Sequence, residues 1–238
     1  MEVIVADQAL APLEGKTIAV VGNAPEVLSC EYGEMIDDHD FVIRMNQGIP
    51  GSEQFKAIGS RTSIVTAGML HKRDGYNRLA IWDKWAPPYV WWLKHTSMGN
   101  EHLKEVCKYP AFHKTSLWHW PIEWFEDLKK RQGSNPSAGT SVLYILTKHC
   151  RPSKISVFGI TCWGKLEPGA THDWWSEKGV DGSRWHDHDD EANYIKSLGH
   201  FRRGPYWFEI GDERPPDDRM DCPDTSDHRR PDRRMDLE

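Results

Sequence analysis

A chain of 238 residues, 38% hydrophobic and 28% charged, is long enough to bury one sizeable core, with room for a tail beside it. Thirty basic against thirty-six acidic residues leave a formal charge of −6, which excludes a global attraction for nucleic acid or an anionic membrane surface. No apolar run has the length needed to span a bilayer, and Met1 to Leu13 lacks the basic-then-apolar layout of a signal peptide. The five cysteines (Cys30, Cys107, Cys150, Cys162, Cys222) are odd in number and contain no C-x-x-C pair. That usage argues against a disulfide framework or a thiolate metal site, and it makes a reducing cytoplasm the expected compartment.

Residues 1–15 read as a short lead-in to a domain over 16–210. In Lys16-Thr-Ile-Ala-Val-Val-Gly-Asn23, the β-branched run Ile18 to Val21 predicts a buried strand that stops at a tight turn, with Pro25 close behind. Such a turn either joins a strand to a helix or lets the backbone approach a ligand, and Asn23 offers both an amide donor and a carbonyl acceptor. Phe41 to Met45 is a second strand ending in an asparagine, Asn46, and the turn Ile58-Gly-Ser-Arg-Thr62 feeds a third apolar run from Ser63 to Thr66. The G-x-G-x-x-G fingerprint is absent after Val21, which argues against a nicotinamide or flavin site.

In the middle third, Tyr89 to Leu93 predicts another strand and Glu101 to Lys108 a helix. Pro121 to Arg131 is a better helix, with proline at its first turn, basic residues at its last, and Ile122, Phe125 and Leu128 on one face. Tryptophans 82, 85, 91, 92, 118, 120 and 124 are read as core packing. Trp118-His119-Trp120 is the exception, a candidate platform for stacking a sugar.

Gly133 to Gly139 is a loop of small residues entering an apolar helix, Thr140 to Thr147, followed by a strand over Lys154 to Gly159. A helix entered this way presents unpaired backbone N–H groups where the dipole favours an anion, although an ordinary N-cap by Ser137 or Thr140 explains the same residues. Two ionisable clusters follow, Thr171-His-Asp-Trp-Trp175 and Trp185-His-Asp-His-Asp-Asp-Glu-Ala192. A helix is expected from Asp190, capped by Asp189 and closed by Gly199, with Glu191, Tyr194, Ile195 and Leu198 on its inward stripe. A carboxylate on that stripe needs a partner, whereas Asp187 and Asp190 face solvent. The run His186-x-His188-x-Asp190 admits three readings: a general base at His186, a set of metal ligands, or a solvated turn. Beyond Gly211 the chain is rich in Asp, Arg and Pro, with a faint echo of Asp218-Arg-Met-Asp221 in Asp232-Arg-Arg-Met-Asp236. Residues 211–238 are expected to form a disordered tail.

Taken in order, these segments resemble the motifs of glycosyltransferase family 29, the sialyltransferases. Ala19-Val-Val-Gly-Asn23, Gly33, Ile36-Asp37, Asp40, Val42-Ile-Arg-Met-Asn46 and Gly59-Ser-Arg-Thr62 resemble the large sialyl motif. Pro136-Ser-Ala-Gly139, Cys150 and Val157-Phe-Gly159 resemble the small one, with Ala138 where the family usually has Ser or Thr. Thr171 to Trp175 is similar to the third motif, and His186 with Glu191 five positions on matches the very small motif, His-x-x-x-x-Glu.

The resemblance implies one three-layer α/β/α domain with a Rossmann-like, mostly parallel sheet, the variant GT-A arrangement that lacks a D-x-D metal motif. It implies an inverting, metal-independent transfer of sialic acid or a related acidic sugar from a CMP donor to a hydroxyl of a glycan or other acceptor. Gly22, Asn23, Asn46, Ser137, Ala138 and Gly139 would bind the donor nucleotide. His186 would be the general base, His172 would assist the leaving phosphate, and Glu191 would brace the His186 loop or contact the donor. No cofactor, metal, membrane span or stable nucleic-acid partner is expected. Family members of the secretory pathway join a cysteine just before Ala-Val-Val-Gly-Asn to one in the small motif; here Cys150 holds the second place and Ile18 the first, which suits the cytoplasm. The alternatives are a metal-dependent hydrolase built on His186, His188 and Asp190, or a nucleotide-binding module without catalysis.

Overall fold

A computed structural model describes residues 2–46, 48–67, 88–93, 95, 104, 114–160, 186–204 and 206–210 of the chain. A short edge strand, β1 (Glu2–Ile4), precedes β-branched and aromatic runs that pair as strands in the interior of a sheet: β2 (Thr17–Val21), β3 (Phe41–Met45), β4 (Ile64–Ala67), β5 (Tyr89–Trp92), β6 (Ser116–His119) and β7 (Lys154–Phe158). These seven run parallel, and an antiparallel pair, β8 (His200–Gly204) and β9 (Trp207–Ile210), extends the sheet beyond β7. The order is β1-β6-β5-β4-β3-β2-β7-β9-β8. Val20 of β2 lies opposite Ile43 on one side and Val157 on the other, so β2 is the sheet's central register mark.

The helices among the described residues are α1 (Ala6–Leu10), α2 (Gly33–Asp37), α3 (Phe55–Ile58), α4 (Ile122–Gln132), α5 (Ala138–Lys148) and α6 (His188–Ser197). Because side chains alternate along a strand, Ile18, Val20, Ile43, Met45 and Val157 face one core, filled by Val142 to Leu146 of α5, Leu128 of α4 and Ile195 of α6. Ala19, Val21, Val42 and Phe158 face the other, packed by Val27, Ile36, Ala57 and Ile58. The sheet therefore has helices on both sides, the three-layer α/β/α arrangement. No helix among the described residues is long and apolar enough to cross a membrane.

Four expectations change. The lead-in over 1–15 is built into the domain: β1 pairs with β6, and Leu13 sits in the core. Trp118 and Trp120 are 1% exposed: Trp118 on β6 packs edge-on to Trp91 and Trp124, and Trp120 just beyond the strand packs edge-on to Phe125 and Tyr144, so they form no stacking platform. Ile122 is 42% exposed at the first residue of α4, before that helix reaches the core. The cap of α6 is Asp187, whose carboxylate accepts the N–H groups of Asp189 and Asp190, so Asp189 lies within the helix. Trp91 and Trp92 are buried as expected. Trp82, Trp85, the helix over 101–108, His172 with its motif, and the tail 211–238 lie outside the described residues. Cys150 is a buried thiol, and burial pushes it up to about 12.

One buried histidine was not anticipated. His39 donates from Nδ1 to the Met35 carbonyl, so its Nε2 accepts from the Ser156 hydroxyl at 2.8 Å, tying the turn before β3 to β7. Burial holds His39, His95 and His149 below the ordinary histidine value of 6.5. The unfolded chain then takes up protons that the folded chain refuses, so stability is fully present above pH 6.5 and declines as pH falls below it. The melting temperature should fall between pH 7.5 and 5.5, and a His39→Gln variant should show a shallower decline.

Candidate functional site

From β2 to β6 the chain adds strands in one direction; α4 and α5 then carry it back to β7 on the other flank of β2. The carboxyl ends of β2 and β7 are thus the point where the strand order reverses, the place at which open α/β sheets hold their ligands. Gly22 donates its N–H to the Phe158 carbonyl at 2.7 Å, and Ala24 donates to Gly159 at 3.0 Å. A Cβ on Gly22 would lie 2.3 Å from the Gly159 oxygen. The glycine is therefore required by the close approach of two strand ends, and it shapes the floor of the crevice.

Asn23, next along, donates from Nδ2 to the Met45 carbonyl at 3.3 Å. That bond fixes the amide orientation and leaves Oδ1 buried without a hydrogen-bond partner. An orphaned buried acceptor costs roughly 1–3 kcal/mol, which a ligand donor would recover. The wall beside it is Gly48, where a Cβ would stand 2.1 Å from Oδ1. Asn46 ends β3 in the left-handed region (φ 53°), a conformation asparagine tolerates, while its N–H reaches Thr66. Both predicted asparagines therefore sit around the Met45 backbone.

The amino end of α5 closes over the same place. A Cβ on Gly139 would lie 3.2 Å from Ile160 Cδ1 and 3.8 Å from Met45 Cε. Ser137 is the N-cap, its Oγ accepting from the Thr140 N–H at 3.3 Å, and its own N–H is donated to Glu191 Oε1 at 2.7 Å. Ser141 N–H returns to the Ser137 carbonyl. The amides left open at this helix end, among the described residues, are those of Ala138 and Gly139. Of the three positions expected to meet an anion, Ser137 is thus engaged inside the protein, and the other two present their backbone.

Across from it, α6 brings Glu191 inward. Its carboxylate, in a residue 4% exposed, accepts from Ser137 N–H and from the Thr140 hydroxyl at 3.3 Å, with Oε2 3.8 Å from His188 Nδ1. His186, half-buried just before α6, bonds through Nδ1 to the Asn135 carbonyl at 3.0 Å. His186, Glu191, Ser137, Ala138, Gly139, Met45 and Asn23 thus form one continuous set of neighbours. The run His186, His188, Asp190 points three ways: to Asn135, to Glu191, and over Gly133, whose Cβ would lie 3.3 Å from Asp190 Oδ2. Among the described residues no group of three or more His, Cys, Asp and Glu side chains is placed to hold a metal.

The charged residues of the first motif prove to be fasteners. Arg44, fully buried on β3, donates from Nε to the Arg61 carbonyl and the Thr62 hydroxyl, and from Nη2 to the carbonyls of Ile58 and Gly59. Asp37 accepts the N–H groups of Ser60 and Arg61, and the Arg61 guanidinium reaches the carbonyls of Asp37, His39 and Asp40. A charge inside the apolar run Val42-Ile-Arg-Met45 was the available sign of this buried clasp.

The fold and site define a doubly wound α/β protein with a crevice at its topological switch point, flanked by an open helix amino end and a histidine. The sequence profile of glycosyltransferase family 29 (sialyltransferase) matches residues 4–73. The chain is 26% identical over 202 residues to the mouse CMP-N-acetylneuraminate-beta-galactosamide-alpha-2,3-sialyltransferase 2, covering 79% of this chain and 55% of that protein. It is 42% identical over 57 residues to the Arabidopsis thaliana beta-1,6-galactosyltransferase GALT29A, 23% of this chain and 14% of that one. The chain thus spans about half the length of the mouse relative. A crystal structure of a mammalian sialyltransferase superposes with a TM-score of 0.51 at 22% identity, over 77% of this chain and 65% of that one. The chain resembles family 29 in sequence, and it shares the fold of that mammalian enzyme.

Proposed function

We propose that this protein is an inverting, metal-independent glycosyltransferase that moves sialic acid or a related acidic sugar from a CMP donor to a hydroxyl of a glycan or similar acceptor. The carrying observation is the orphaned Asn23 Oδ1 beside the open amides of Ala138 and Gly139, with His186 tied to the same loop. In this reading Asn23 takes a donor hydrogen from the nucleotide, and Asn46 lines the same crevice. The two amides and the dipole of α5 take the negative charge that grows on the departing phosphate, in the place where other transferases use a metal ion. His186 removes the acceptor proton as the hydroxyl oxygen attacks the anomeric carbon, and the bond to phosphate breaks with its electron pair leaving on CMP. His172 assists that departure, as the third motif implies.

A second reading of the donor is favoured by one observation: a relative matching over 57 residues is named a galactosyltransferase, so the shared segment does not by itself select an acidic sugar. Both readings meet one experiment. CMP should raise the melting temperature more than UMP, GMP or AMP. At a hundredfold excess over its dissociation constant a ligand contributes about 2.7 kcal/mol, or roughly 5–10 °C for a domain this size. Turnover of CMP-sialic acid against UDP-galactose then assigns the sugar. A preference for UMP, with galactose transferred, would replace the first reading by the second.

A further inference from the structure

Resting on that transferase reading, we infer that Ile160 is the positioning residue that spaces the two halves of the nucleotide site. Strand β7 ends at Phe158, and Gly159 turns the chain through the left-handed region (φ 62°), so Ile160 leaves the sheet at the crevice. Gly159 is held from both sides. It donates its N–H to the Tyr206 carbonyl at 2.9 Å, and its own carbonyl accepts from the Ala24 N–H at 3.0 Å. The backbone that leads into Ile160 is therefore fixed, and a β-branched side chain adds little freedom at χ1.

From there the side chain reaches two glycines that belong to different walls. A Cβ on Gly22, at the end of β2, would lie 2.7 Å from Ile160 Cγ1, and one on Gly139, in the first turn of α5, would lie 3.2 Å from Cδ1. Ile160 thus stands between the turn that carries Asn23 and the helix end that presents the Ala138 and Gly139 amides. Its half-buried side chain and that of Ala138 pack on the same core, beside Val20, Met45 and Val142. Protein interiors are dense enough for one methyl group to be felt by its neighbours, so the length of this side chain sets how far the amides stand from Asn23. Being apolar, it offers those amides no competing acceptor, and it keeps water from behind them, where their dipoles act more strongly on an anion. In the proposed site a nucleotide meets both walls at once, Asn23 through its nucleoside and the amides through its phosphate. The grip on a nucleotide depends on the spacing, and the grip on a nucleoside does not.

The test is Ile160→Val, which removes Cδ1, the carbon against Gly139, and keeps Cγ1 against Gly22. Ile155→Val takes the same methyl from a buried position on β7 and serves as the control. Titrations followed by amide NMR compare CMP with cytidine, which lacks the phosphate. Ile160→Val should weaken CMP roughly tenfold, the scale of one hydrogen bond to a charged group, and leave cytidine within about twofold. Ile155→Val should leave both affinities unchanged, although each variant lowers the melting temperature. Before any nucleotide is added, Ile160→Val should already shift the Ala138 and Gly139 resonances, and Ile155→Val should not. Equal losses for CMP and cytidine would make Ile160 ordinary packing and overturn the inference. So would an unchanged CMP affinity, or Ala138 and Gly139 resonances that stay in place in Ile160→Val. A wild type that binds no nucleotide would instead overturn the transferase reading, and the two resonances would then decide the spacing by themselves.

Discussion

Replacing His186 with alanine is expected to lower turnover by about 10²–10⁴-fold while CMP affinity stays within about threefold. A sugar hydroxyl is a poor nucleophile near neutral pH, and an imidazole is a side chain suited to take its proton. The groups assigned to the nucleotide are elsewhere: Asn23 is held by Met45, and the Ala138 and Gly139 amides belong to α5. The fold should tolerate the change, since α6 keeps its Asp187 cap and Glu191 keeps its grip on Ser137. Steady-state kinetics with calorimetry on CMP decides the matter. Intact turnover would remove His186 from the chemistry, and an equal loss of CMP affinity would make it a binding residue. Retained CMP binding in a wild type that turns over no donor would favour the nucleotide-binding module.

The largest effect on stability is expected at Arg44. Arg44→Leu should cost about 2–5 kcal/mol, because it strands the neutral acceptors that the buried guanidinium holds, and lower the melting temperature by roughly 4–20 °C. The guanidinium is 0% exposed and touches four acceptors supplied by Ile58, Gly59, Arg61 and Thr62. Burial lowers it to about 10, so it remains charged at neutral pH. Leucine would leave the buried Ile58 and Gly59 carbonyls without this donor, and each stranded buried acceptor costs roughly 1–3 kcal/mol, while the partly exposed Arg61 and Thr62 oxygens can turn to water. Arg44→Lys should recover only part of the loss, because a single ammonium cannot reproduce the fork that spans the turn. Urea denaturation of the three proteins checks this, and a midpoint for Arg44→Leu equal to that of the wild type would refute it. The turn that Arg44 holds feeds β4, which receives the Asn46 N–H through Thr66.

Much of the layering was legible in the chain itself. Ile18 to Val21, Phe41 to Met45, Tyr89 to Leu93 and Lys154 to Gly159 are apolar runs bounded by turn residues, and each became a strand. Pro136-Ser-Ala-Gly before an apolar stretch became a helix entrance, because small residues leave amides uncovered there. The helical stripe through Glu191, Tyr194 and Ile195 put a carboxylate inward and so demanded a partner.

The identity of that partner was beyond local reading. Ser137 stands 54 positions from Glu191, and Ser156 stands 117 from His39; only the packing of α6 on α5 and the register of β7 bring them together. The same holds for residues 1–15, which read as a short lead-in outside the domain until β6 supplies an edge for Glu2 to Ile4 to pair with. Trp118 and Trp120 looked available for a sugar because nothing in their neighbours says that β5, α4 and α5 cover them. Propensity, capping and periodicity act over a few residues and are written in the order of the amino acids. Which charge meets which carbonyl depends on how strands are ordered in the sheet, and that order is a property of the whole folded chain.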